Sequence, residues 1–130
     1  FVGYIDRIDR IGTDHYRVID YKSGKVKDSD VKMSQKEDAY TNMTQPKHAL
    51  QLCLYSLFFK EYYGHLPAEA RIESLINRDD EFALSLDKHT DLTPVPDLFE
   101  EGLQTLIENM LNETVPFEHD QAATYCQFCT

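Results

Sequence analysis

Residues 18–25 read VIDYKSGK: an apolar start, a carboxylate at Asp20, an amine at Lys22, then a Ser-Gly turn. Side chains on a strand alternate between faces, so Val18, Asp20 and Lys22 share one. A charged pair on a face that opens with valine needs a reason. A second stretch of the same character, GYIDRIDRI, lies upstream at 3–11. The two are expected as strands over 2–11 and 15–22, joined by the turn residues Gly12, Thr13 and Asp14. A three-residue loop centred on Thr13 sets Asp6 opposite Asp20, Tyr4 opposite Lys22 and Ile8 opposite Val18, all on one face. A slip of one residue would set Asp6 opposite Ile19 instead.

Like charges opposed across a strand pair are destabilising. Two carboxylates beside Ile8 and Val18 need a shared proton, an amine or a cation. Lys22 answers only one of them. Hard oxygen ligands from two strands, with the backbone carbonyl of Tyr21 between Asp20 and Lys22, suit Mg²⁺ or Mn²⁺. Lys22 then stands where it can orient an attacking water and stabilise charge on a phosphate. These residues describe a site for phosphodiester hydrolysis. An edge strand charged merely against aggregation is the competing reading.

Beyond the hairpin, residues 23–45 are polar and read as a long, mobile connection with a helical turn around 35–42; connections of that length are usually functional or disordered. A helix follows, with Thr44 as N-cap, Pro46 in its first turn, the run HALQLCLYSLFFKEYY (48–63), and Gly64 as its stop. ARIESLI (70–76) and EFALSL (81–86) read as strands joined around Asn77 to Asp80. A second helix is expected over 97–112, where Phe99, Leu103, Leu106, Ile107 and Met110 recur at helical spacing. The tail, 113–130, is irregular. The order of elements predicts an α/β (α+β) sandwich around a mixed β-sheet, one domain over 1–130.

Composition narrows the class. The chain has 130 residues, 42% of them hydrophobic, enough for one core. No run approaches the ~20 apolar residues of a membrane span. Three cysteines, an odd number, argue against a disulfide framework and for a reducing, cytoplasmic setting. The chain opens at Phe1 in the middle of an apolar alternation, so it is expected to be a piece of a longer protein, truncated at both ends. Net charge is −10, unfavourable for phosphate contact. The charge is uneven, however: residues 1–60 hold ten Lys/Arg against eight Asp/Glu, and residues 61–130 hold three against fifteen. Anion binding therefore belongs to the first half, where Lys25, Lys27, Lys32 and Lys36 on the polar connection are candidate phosphate contacts.

GYIDRID, then VIDYKSGK, then QLCLY on a helix resemble the PD-(D/E)xK nuclease superfamily, and within it the RecB/AddB-type exonuclease domain. The resemblance spans roughly residues 2–129. It implies a restriction-endonuclease-like mixed sheet flanked by helices, and a Mg-dependent nuclease or exonuclease core acting on single- or double-stranded DNA. The setting it implies is a helicase–nuclease or a DNA repair and recombination protein. Asp6 matches the metal-binding acid of G-x-(I/V)-D-R-(I/V)-D. Asp20 and Lys22 match the second acid and catalytic lysine of D-Y-K-(S/T)-G. Gln51 and Tyr55 match Q-x-x-x-Y, four apart on one helical face, and would position the lysine or the DNA strand. The family often ends in C-x-x-C-x₅-C, which joins an upstream cysteine around a [4Fe-4S] cluster; Cys126 and Cys129 resemble its first two ligands. The other two fall outside this sequence, so the cluster is expected in the full-length protein only. A His or Glu ligand upstream of GYID also falls outside, and a stretch without it is expected to be short of activity. Two other readings stay open: an inactive nuclease-like module that binds DNA or a partner, and an iron–sulfur-containing, CRISPR-associated exonuclease. Cys53, deep in the apolar helix, reads as core.

Overall fold

The computed structural model describes residues 2–116. In chain order the elements are β1 (Arg7–Gly12), β2 (His15–Lys22), a 3₁₀ turn (Asp28–Asp30), β3 (Lys32–Met33), α1 (Ala39–Thr44), α2 (Ala49–Tyr63), β4 (Glu69–Ser74), β5 (Phe82–Ala83), β6 (Ser85–Leu86) and α3 (Val95–Leu111). The main sheet runs β1-β2-β4-β5, and β3 pairs with β6 in a second, two-stranded sheet. β2 lies antiparallel to β1 and parallel to β4, and β4 is antiparallel to β5. This is the expected α/β architecture on a mixed sheet.

The hairpin register is the expected one, with Ile8 opposite Val18. Gly12 closes on His15, and a bulge between Arg10 and Gly12 absorbs the offset. Asp14 takes the left-handed conformation there (φ 55°), which Asp tolerates better than most side chains. Contrary to the expected strand over 2–11, the ladder starts only at Arg7. The preceding residues cross α2 instead: a Cβ on Gly3 would stand 2.9 Å from the Phe58 ring, so glycine permits the crossing.

The connection 23–45 is built rather than open. It supplies the 3₁₀ turn, β3 and α1, and it buries Val26, Val31, Met33, Ala39 and Met43. Asp38 starts α1 by accepting the Thr41 amide at 2.8 Å. Thr44 is therefore the last residue of α1, Pro46 lies between the helices, and α2 begins after His48. Gly64 ends α2 at φ 82°, as its position predicts. The segment 81–86 is two strands, not one. β5 extends the main sheet, with Phe82 opposite Ile72, and β6 turns away to β3, with Leu86 opposite Met33.

The core lies between the sheet and α2. Val18, Ala70, Ile72 and Phe82 pack with Leu52, Cys53 and Phe59. α3 docks on α1 at Gly102, where a Cβ would meet the Ala39 carbonyl oxygen at 2.7 Å. The far face of the sheet carries ion pairs: Arg17 with Glu69, and Arg71 with Glu69, Glu73 and Glu81. No described helix is long and apolar enough to cross a membrane.

Candidate active site

The β2–β4 register fixes which side chains face α2. Asp20 lies opposite Ile72 and Lys22 opposite Ser74, on the same face as the Val18–Ala70 pair. Asp20 is buried, with 3% exposure, yet it sits among apolar neighbours. Its Oδ2 lies 2.8 Å from Lys22 Nζ. Lys22 Nζ also donates to Gln51 Oε1 at 2.7 Å, and Gln51 Nε2 donates to the Tyr55 hydroxyl at 2.8 Å. An ammonium only donates, so it fixes the Gln51 amide with its oxygen towards the strand. Asp20, Lys22, Gln51 and Tyr55 thus form one polar chain running from sheet to helix.

Asp6 stands just ahead of β1, outside the ladder. Its Oδ2 accepts the Tyr21 backbone N–H at 2.9 Å. It therefore meets β2 at the residue between Asp20 and Lys22. A strand residue turns its N–H and C=O to the same edge, so the Tyr21 carbonyl lies on Asp6's side. The Tyr21 side chain goes to the far face, where its hydroxyl accepts from Arg7 at 2.9 Å.

These groups fit a hard divalent cation. Asp20 Oδ2 is fully enclosed, and the Lys22 ammonium stands 2.8 Å from it outside good hydrogen-bond alignment. A buried carboxylate answered by one imperfectly aligned ammonium is a costly arrangement that a bound cation relieves. Asp6, Asp20 and the Tyr21 carbonyl supply oxygen only. Among the described residues no group of three or more His, Cys, Asp or Glu side chains gathers around one point. Two carboxylates and a carbonyl suit Mg²⁺, which retains several waters, better than an ion that demands a full protein cage.

The four lysines of the connection are all exposed. Lys25, Lys27, Lys32 and Lys36 lie along the segment that leaves Lys22, apart from the Asp20–Tyr55 chain. Lys32 is paired with Asp28 at 2.7 Å. Cys126 and Cys129 lie outside the described residues. Cys53 is core: burial pushes its thiol up to about 12.

Ser74 and Asn77 escaped the sequence reading. Ser74 Oγ donates to the Gly24 carbonyl at 2.9 Å and accepts the Ile76 and Asn77 amides. Asn77 Oδ1 accepts the Val26 amide at 3.3 Å. Together they hold the backbone that follows Lys22. Ser and Asn at a strand end are ordinary turn chemistry, and nothing in the sequence says which distant segment they tie down.

No curated protein and no solved structure matches the chain. The family model for the PD-(D/E)XK nuclease superfamily does, over residues 1–130, with Asp20 and Lys22 side by side on β2 and Asp6 at the intervening amide, and the chain belongs to that superfamily.

Proposed function

We propose that this chain is the catalytic core of a metal-dependent deoxyribonuclease, an exonuclease of the RecB/AddB type that works with a helicase domain or subunit in DNA repair or recombination. One observation carries the reading: the buried Asp20 carboxylate stands 2.8 Å from a lysine that Gln51 and Tyr55 hold in place, and Asp6 accepts the amide of the residue between them.

Nucleases of this superfamily generally use Mg²⁺ or Mn²⁺. Asp6, Asp20 and the Tyr21 carbonyl would hold the ion, which when bound supplies Lewis acidity at the scissile phosphate. Lys22 has three N–H donors; Gln51 takes one, and the Asp20 carboxylate competes for a second. The third serves a phosphate oxygen or the attacking water, against the charge that develops as water adds to phosphorus and the P–O bond to the leaving oxygen breaks. Gln51, anchored by Tyr55, keeps the ammonium from folding wholly onto Asp20. Lys25, Lys27 and Lys36 add phosphate contacts along the strand, and Cys126 and Cys129 join a [4Fe-4S] cluster in the full-length protein.

The test is Mg²⁺-dependent cleavage of end-labelled single- and double-stranded DNA by the intact protein, as wild type, Asp20→Asn and Lys22→Ala. Each variant should lose roughly 100-fold or more in rate, the scale of a missing charge-stabilising group, while far-UV circular dichroism stays that of the wild type. Wild-type rates from Asp20→Asn at saturating Mg²⁺ would overturn the assignment. The second reading is an inactive nuclease-like module that binds DNA or a partner, and the acidic second half, three Lys/Arg against fifteen Asp/Glu, favours a partner over DNA. Calorimetry separates the two, since that module should show no Asp6-dependent metal binding.

A further inference from the structure

His48 stands immediately before α2, and neither the motifs nor the metal chemistry uses it. It precedes Gln51 by three residues and Tyr55 by seven, which puts the three on one stripe of the helix. Its residue is 9% exposed, and its backbone is pinned at both ends: the amide donates to the Asp30 carbonyl at 2.8 Å, and the carbonyl accepts from Leu52 at 3.2 Å. The ring itself has no hydrogen-bond partner among the described residues. Neither ring nitrogen is among the fully enclosed polar atoms, so the ring is packed without its nitrogens being sealed off. The ring lies within Coulombic reach of Lys22 and Asp20, the two charges of the polar chain. A ring nine-tenths buried beside those charges, with no partner for its N–H among the described residues, has a donor to give to a ligand.

We propose that the His48 imidazole donates a hydrogen bond to a non-bridging oxygen of the substrate's phosphate, from the same stripe on which Gln51 and Tyr55 hold Lys22. The inference rests on the nuclease reading above. A neutral imidazole offers one N–H donor. Burial, then Lys22 and Lys47, holds the ring below its ordinary pKa of 6.5, so that form is present at neutral pH.

The experiment measures binding of a fluorescein-labelled DNA oligonucleotide in Ca²⁺ by anisotropy, and kcat and KM for its cleavage in Mg²⁺, for the wild type and for His48→Phe, His48→Asn and His48→Gln. His48→Phe keeps a ring and removes the donor; it should weaken binding and raise KM by roughly tenfold, the scale of a hydrogen bond to a charged group. One of the two amide variants should recover most of that loss, which a packing role would not do. Should His48→Phe fail to fold, the His48 Hε1 resonance of the wild type replaces it as the readout: it should move on adding oligonucleotide, and a stationary resonance overturns the proposal. His48→Phe within twofold of a wild type that cleaves DNA refutes the His48 contact and leaves the nuclease standing. A wild type that neither binds nor cleaves DNA refutes both.

Discussion

At Asp20 the cost of burial explains the company it keeps. A carboxylate with 3% exposure loses most of its hydration, and a lone buried charge is expensive. Lys22 compensates for the charge from 2.8 Å, outside good hydrogen-bond alignment with Oδ2. The position is thus stable enough to fold and still gains from a ligand that completes the set. His48 shows the same tension in a titratable form. Its folded pKa is lowered, first by burial and then by Lys22 and Lys47, against the attraction of Asp30 and Asp20. The unfolded chain therefore binds a proton near pH 6.5 that the folded chain refuses, and stability falls as pH drops from 6.5 towards the folded value. Asp38, held low by the Thr41 amide and hydroxyl, and Asp91, held low by the Thr93 hydroxyl and amide, act in the opposite window: their contribution is present above 3.8 and disappears below it. Urea midpoints between pH 7 and pH 5 should thus decline less steeply in His48→Gln than in the wild type. Parallel declines would show that the His48 ring protonates freely in the fold.

At the level of elements, long periodic segments were legible and short ones were not. The hairpin register, α2 with its Gly64 stop, and α3 all follow from spacing, because each presents several apolar residues to one partner surface. The connection 23–45 hid β3 and showed α1 only as a helical turn around 35–42, since a two-residue strand and a six-residue helix are too short for a period to show. Their stability comes from distant partners: β3 from β6, and α1 from α3. Gly102 is where that dependence concentrates. Gly→Ala inside a helix ordinarily gains about 1 kcal/mol of propensity. Here the new methyl would press on the Ala39 carbonyl oxygen at 2.7 Å and on Met43 Cγ at 2.6 Å. The methionine can swing aside, but the backbone oxygen moves only with all of α1. Overpacking of that kind costs roughly 1–3 kcal/mol, enough to outweigh the propensity. Gly102→Ala should lower the Tm by several degrees, and Gly102→Val by more. A Gly102→Ala protein as stable as the wild type would mean that α1 docks more loosely than this packing requires.

The whole molecule poses an electrostatic question that neither residue nor element answers: how a chain of net charge −10 approaches a polyanion. The candidate site was legible in part: Asp20, Lys22, Gln51 and Tyr55 come together as their three short motifs imply, whereas Asp6 does not pair opposite Asp20 but meets β2 at the Tyr21 amide from outside the ladder. What the sequence could not give is which of the surrounding charges is free. Lys25, Lys27 and Lys36 leave the site on an exposed segment, whereas Lys32 is already matched by Asp28 at 2.7 Å. Net charge adds a repulsion shared by every variant, but counterion release depends only on the phosphates that the protein neutralises. The slope of log K against log salt falls by roughly 0.9 for each duplex phosphate left unneutralised, or 0.7 for single strands. Lys25→Ala should therefore flatten the slope by about one such step, while Lys32→Ala, which frees Asp28 but removes an already paired charge, should flatten it by less. Lys88→Ala, in the acidic half, removes the same unit of net charge and should leave the slope where it was. If Lys25→Ala and Lys88→Ala change the slope equally, DNA is reading the total charge of the chain, and the connection after Lys22 is no part of its path.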